Sequence, residues 1–113
     1  MYNQIMILNS SKKTVLSETE YEKRGFGKLV GLLGKKNAKT LVFNTRFGIH
    51  TFFLKFPIDV IILSDANKVV FIRKDLKPNR IFVWNIKYSR VIELPIGKIE
   101  KSNTKIGDIL EFS

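Results

Sequence analysis

The tightest constraint on this chain is a pair of apolar stretches that face both ways. Residues 59–64 (DVIILS) and 68–74 (KVVFIRK) flank Asp65-Ala66-Asn67. Side chains alternate along a strand, so Val60 and Ile62 point one way and Ile61 and Leu63 the other. A hairpin of this kind has no face to leave in water. It must lie inside a sandwich or barrel, or carry a helix on its outer face. Asp and Asn tolerate turn geometry, which makes 65–67 the expected turn. The fold class that follows is mainly β (α+β): a compact β-sandwich or barrel-like domain. At 113 residues the chain is about one domain by length.

Other strands are expected around this pair. Residues 1–8 and 13–17 read as a hairpin across the turn Asn9-Ser10-Ser11-Lys12, and 41–43 and 51–56 (TFFLKF) as two short apolar strands. Residues 90–94 and 109–112 follow as strands, and 75–89 reads as a loop holding Pro78, Arg80 and Trp84. One helix is expected within residues 20–34, in the N-terminal half. Ser17 with Glu20, or Thr19 with Glu22, has capping-box spacing, in which hydroxyl and carboxylate satisfy free N–H groups at a helix start. Phe26, Leu29, Val30 and Leu33 then form one stripe, and Gly34 is a natural stop. Residues 98–104 have room for a further helical turn.

Charge bears on the choice of partner. The net charge is +10, with 20 Lys plus Arg against 10 Asp plus Glu, and 15 of the 20 are Lys. Such a surplus attracts nucleic acid or anionic lipid. Lys lacks the bidentate fork of Arg, so specific nucleic-acid recognition is not expected, and any such binding is expected to be electrostatic and weak. Cysteine is absent, which excludes disulfides and thiolate metal sites. The stretch Ile5-Met6-Ile7-Leu8 is too short for a signal-peptide core, and no run approaches the ~20 apolar residues of a spanning helix. A cytoplasmic protein with no transmembrane segment is the resulting expectation.

The stretch Arg46–Asp59 reads RFGIHTFFLKFPID. Gly48, His50, Thr51, Phe52, Lys55, Pro57, Ile58 and Asp59 fall in the order of a known signature, followed by Leu76-Lys77-Pro78, Arg80, Glu93-Leu94-Pro95-x-Gly97 and Gly107-Asp108. Upstream stands Gly31-Leu32-Leu33-Gly34. This series resembles domain-of-unknown-function family 192, in the variant reading roughly G-hydrophobic-HTF-x-M-R/K-F-P/A-I-D, over about residues 22–112. Leu54 replaces the usual Met, and Asn79 stands where members commonly carry an aromatic ring, a role open to Trp84. The resemblance implies a compact, sandwich-like, mainly β domain with a short helix. It implies no activity, because the family is named for lacking an assigned one.

Five residues are candidates for a ligand pocket: His50, Lys55, Asp59, Arg80 and Glu93. His50 is the sole histidine, without another His or Cys to share a metal, so neither a metal site nor a cofactor is expected. Lys55, Asp59 and Glu93 are charges set in or beside apolar runs, where an unpaired ion is costly. Glu93 is expected to meet Arg80 or Lys55. For Asp59 the simpler role is structural, accepting backbone N–H bonds near Pro57. Asp108, after Gly107, reads as a turn residue. If the five converge they form a mixed-charge cleft for a small anionic or zwitterionic ligand. Nucleophile elbow, phosphate loop and carboxylate-rich metal motif are all missing. The functional expectation is therefore a non-enzymatic binding or interaction module, engaging a small anionic ligand or a protein partner near the loops of His50 and Arg80. The alternative is an enzyme using Asp59 or Glu93 as general base, with Lys55 or Arg80 stabilising an anion.

Overall fold

In the computed structural model of the chain the described residues are 2–4, 6–17, 20–23, 40–52 and 54–113. The two-sided hairpin forms the middle of the molecule. Strands β7 (Ile58–Leu63) and β8 (Val69–Leu76) pair antiparallel, with Val60 opposite Arg73 and Ile62 opposite Phe71. Their turn closes through Ser64 N–H to Lys68 O at 2.9 Å, and Asn67 adopts φ 62°, the left-handed conformation an Asn accepts at little cost. On the other side of β7 lies β10 (Arg90–Pro95), and beyond it β5 (Thr40–Asn44).

Two outer strands complete a six-stranded sheet. β1 (Tyr2–Gln4) pairs antiparallel with β4 (Glu20–Lys23), and β4 pairs parallel with β5, giving the order β1-β4-β5-β10-β7-β8. The sheet keeps two edges, so the expected sandwich-like form holds and the barrel alternative does not. A second sheet of β2 (Ile7–Asn9), β3 (Thr14–Ser17) and β11 (Leu110–Phe112) runs in the order β11-β2-β3. A two-stranded ribbon pairs β6 (Ile49–His50) with β9 (Ile81–Phe82). Helix α1 (Lys98–Ser102) packs beside β3.

The central sheet buries a different apolar set on each face, as its two-sided strands require. Val42, Ile61, Leu63, Ile92 and Leu94 meet Ile7, Leu16 and Leu110 of the second sheet and Ile99 of α1. Leu41, Phe43, Val60, Ile62 and Val91 meet Ile49, Leu54 and Trp84, with Phe82 packed against them. Each such side chain fully buried contributes about 1.5–3 kcal/mol. The two clusters together are the main force holding the layers in place.

Two sequence expectations are corrected. Within the expected strand 51–56, residues 51, 52 and 54–56 are not in a strand, and Phe53 lies outside those described. The Thr51 hydroxyl donates to Lys77 O at 2.6 Å and accepts from Arg80 N at 2.9 Å, while Leu54 N–H turns back to Thr51 O. Those bonds tie the segment to the 77–80 loop and leave no free edge for pairing. The Ser17–Glu20 spacing is not a capping box. Ser17 shares its hydroxyl with Thr40 at 3.1 Å, and Glu20 opens β4. Strand β4 takes the first residues of the expected 20–34 helix, and residues 24–34 lie outside those described. The helical turn expected over 98–104 is α1.

Gly48 is required where it stands. Its φ is +89°, and a Cβ there would sit 2.8 Å from both Phe82 O and Val83 Cγ1. Replacing it adds backbone strain and a clash with main chain that cannot swing aside. We expect Gly48→Ala to lower stability by about 1–2 kcal/mol. A urea denaturation midpoint equal to wild type would show that the ribbon and its loop can slide apart without cost.

Candidate functional site

Asp59 is built into the scaffold. It is 1% exposed, and its register partner on β10 is Leu94, so it faces the second sheet and α1. Oδ1 accepts the Asp75 N–H at 3.0 Å. Oδ2 accepts the N–H groups of Gly97 at 3.1 Å and Ile99 at 3.2 Å. Helix α1 has no side-chain cap of its own at Gly97, so this carboxylate from a neighbouring strand holds its first turn.

Glu93 points the opposite way. It stands opposite Val60 and Leu41 and, like Val91, on the face covered by the ribbon; it is 2% exposed. The sheet itself therefore separates the two carboxylates, and a single cleft holding both is not formed. Lys55 is exposed in the bend before Pro57. Arg80 is exposed as well, and its guanidinium donates to the carbonyl oxygens of Pro78 and Asn79, both at 3.4 Å. Lys55 and Arg80 thus lie at the surface, and Glu93 lies buried beneath the ribbon.

His50 and Arg80 do come together, through the ribbon. His50 is the register partner of Ile81, and Thr51 N–H donates to Arg80 O at 2.9 Å. The ribbon has one wet face and one dry face. Ile49, Phe82 and Trp84 point inward to the core; His50, Ile81 and Val83 point outward. The Trp84 indole N–H donates to Tyr88 O at 2.7 Å and pins the following loop. Phe52 stacks on His50 at 5.1 Å between ring centroids.

Two loops extend this outer face. Thr45 N–H donates to Ser89 O at 2.8 Å, which brings loop 45–48 against loop 85–89. Gly48 abuts Val83. Phe47 is 91% exposed in the first loop, Ile86 is 68% exposed in the second, and Ile81 is 67% exposed on the ribbon, opposite His50. Each has a cation as chain neighbour: Arg46, Lys87 and Arg80. The Lys87 ammonium lies 5.8 Å from the Tyr88 ring centre. Large apolar side chains held this far into water, and grouped, mark an interaction surface more often than scattered single residues do.

Sequence reading missed Phe47, Ile81, Val83 and Ile86. The signal was present in Ile81-Phe82-Val83-Trp84, whose alternation fits one buried and one exposed face. The nearby Pro78 and the shortness of the run concealed it.

Elsewhere a polar cluster ties residues 9–12 to 104–108. Buried Asn9 donates to Thr104 Oγ1 at 3.0 Å and Asp108 Oδ2 at 2.9 Å, and Lys12 pairs with Asp108 at 2.7 Å. Asp108 thus does more than turn the chain. Burial raises its pKa, but hydrogen bonds from Asn9, Lys12 and the Lys105 backbone, with the charge of Lys12, outweigh burial and hold it below its ordinary 3.8. A groove of about 530 Å³ beside β8, lined in part by Val70, Phe71, Tyr88 and Ile106, carries a single charged residue, Lys68. Among the described residues no three His, Cys, Asp or Glu side chains are grouped to hold a metal ion. Nor is any described helix long and apolar enough to cross a membrane.

Fold and surface together define a small β-rich domain with a rigidly backed, cation-rimmed apolar face. The chain belongs to the uncharacterised family DUF192 (Uncharacterized ACR), whose model matches residues 6–112, in agreement with the resemblance carried by Arg46–Asp59. It is 35% identical to a UPF0127 protein of Pyrococcus abyssi, over 95% of this chain and 97% of the relative. Its backbone is similar to a protein of unknown function from Novosphingobium aromaticivorans, with TM-score 0.76, 16% identity and coverage of 97% and 84% of the two chains. A structure from Sinorhizobium meliloti gives TM-score 0.74 at 14% identity, over 99% and 94%. Likeness at such identity speaks to the fold alone.

Proposed function

We propose that this domain is a non-enzymatic binding module whose contact surface is the outer face of the β6–β9 ribbon with loops 45–48 and 85–89. The observation that carries this reading is the grouping of Phe47, Ile81, Val83 and Ile86 in water among Arg46, Arg80 and Lys87. Leaving such surface hydrated is unfavourable in the isolated chain, and covering it on binding supplies affinity. The basic rim selects an anionic partner. Of the five residues singled out in the sequence, His50 and Arg80 serve this surface, and Asp59 and Glu93 are buried in the scaffold. The general-base alternative loses support at Asp59, where both carboxylate oxygens already accept backbone N–H groups.

Site-specific photo-crosslinking tests the reading. A benzophenone side chain at Phe47 is expected to give covalent adducts in cells, and one at Val15, exposed on β3, is expected to give few. Adduct yield at Phe47 should fall several-fold on adding Arg46→Glu and Arg80→Glu. Equal yields at both positions, unaffected by charge reversal, would remove the ribbon from consideration.

A further inference from the structure

Beyond binding in general, the chemistry of the ribbon face points to what it binds. We propose that this face docks on an anionic lipid surface, with Phe47, Ile81, Val83 and Ile86 entering the interface and Arg46, Arg80 and Lys87 meeting the headgroup phosphates. The inference rests on the ribbon being the contact surface.

Shape favours a bilayer over a folded partner. Phe47 stands 91% exposed in its loop. A protein partner would have to supply a matching recess to bury it, whereas the acyl–headgroup boundary deforms around any protruding apolar group. The arrangement of charge points the same way. Phe47 follows Arg46, Ile81 follows Arg80, and Ile86 precedes Lys87, so each of these apolar groups has a cation beside it in the chain. Long cationic side chains can keep their stems beside apolar surface and their heads among phosphates. The net charge of +10, carried mostly by Lys, gives a diffuse attraction suited to an extended sheet of negative charge.

Rigid backing makes the insertion productive. The inner side chains Ile49, Phe82 and Trp84 lie in the core, and Gly48 allows the loop before β6 to close against Val83. The outer apolar groups are thus presented together, and little order has to be imposed when they insert.

The test uses the full chain and vesicles of phosphatidylcholine, with or without an equal share of phosphatidylglycerol. Co-sedimentation at physiological salt should be about tenfold stronger with the anionic lipid. Phe47→Ser with Ile86→Ser should lower it by about tenfold or more. Both side chains are exposed, and an unchanged urea midpoint will show that the fold is intact. In a Phe47→Trp variant, emission should shift to the blue with anionic vesicles and become shielded from an aqueous quencher. Binding that ignores the Phe47 and Ile86 substitutions, or vanishes at physiological salt, would overturn insertion. Failure with vesicles while the benzophenone at Phe47 still yields protein adducts would refute the lipid assignment and leave the ribbon as a protein-docking surface. Failure of both experiments would refute both readings.

Discussion

Asp59→Ala is expected to lower the stability of this domain by about 2–4 kcal/mol. The carboxylate satisfies the N–H groups of Asp75, Gly97 and Ile99. Removing it strands three donors, the one at Ile99 buried and those at Asp75 and Gly97 partly buried, and each unsatisfied buried donor costs about 1–3 kcal/mol, less whatever relaxation recovers. Relaxation here has a definite route. Helix α1 has no other side-chain cap at its start, so its first turn can open toward solvent. Opening would draw Ile99, fully buried in one of the two core clusters, out of its contacts. Urea denaturation measures the total. Amide exchange at Ile99 and Lys101 separates local opening from global loss, because α1 should lose protection before β10 does. Asp59→Asn should recover only part of the loss, since its amide nitrogen would face backbone N–H donors. A midpoint for Asp59→Ala indistinguishable from wild type would mean that water replaces the carboxylate, and the case for Asp59 as a reactive group would reopen.

The two-sided strands were legible because burial on both faces leaves a continuous apolar run in the sequence. Val60 and Ile62 reach one core cluster, Ile61 and Leu63 the other, as alternation requires. The Asp65-Ala66-Asn67 turn was legible for a local reason, the tolerance of Asn for positive φ. Charges set in apolar runs were recognised as residues needing partners, and Asp59 has them. What sequence alone left open was the face on which each charge lies relative to the others. Asp59 and Glu93 oppose successive residues of each other's strands, Leu94 and Val60, and a one-residue offset sends side chains to opposite sides of a sheet. That offset exists only in the pairing register, which is a tertiary fact.

The errors over 51–56 and at the Ser17–Glu20 pair have a shared origin, while Thr19 lies outside the described residues. Both segments carry correct local signals, apolar β-formers in one and capping spacing in the other. Both are overruled by a hydroxyl bonding to chain distant in sequence: Thr51 to Lys77 and Arg80, Ser17 to Thr40. Ser and Thr side chains compete with local secondary structure in this way, and the competitor is invisible until the fold brings it near. The loop residues flanking the ribbon were missed for the complementary reason. Exposure of Phe47 or Ile86 is a statement about the absence of covering chain, and no short window of sequence records that.

Asp108→Asn is expected to cost about 2–3 kcal/mol near neutral pH, and the cost should fade in acid. Every contact to the two carboxylate oxygens is a donor. Lys12 Nζ reaches Oδ1 at 2.7 Å and Oδ2 at 2.8 Å; Asn9 Nδ2 and Lys105 N each reach Oδ2 at 2.9 Å. An asparagine at this site must turn its own NH2 toward one of them, whichever way the amide is flipped, and it leaves the Lys12 ammonium without its counter-charge. These contacts join the start of the chain to its end across nearly its whole length, so weakening them loosens β2 and β11 together. The direction with pH follows from the depressed pKa. Burial alone would raise it, but the hydrogen bonds from Asn9 and Lys12 and the charge of Lys12 leave it below 3.8 in the folded state. Unfolding restores the ordinary value, so the unfolded chain binds the proton more readily. The contribution of Asp108 is therefore complete above the unfolded pKa and is lost as pH falls through the folded one. Urea midpoints for wild type and Asp108→Asn should differ most near neutral pH and draw together in acid, as pH falls through the lowered folded pKa. A constant gap across that range would show that the carboxylate charge contributes nothing, and that the substitution acts through shape alone.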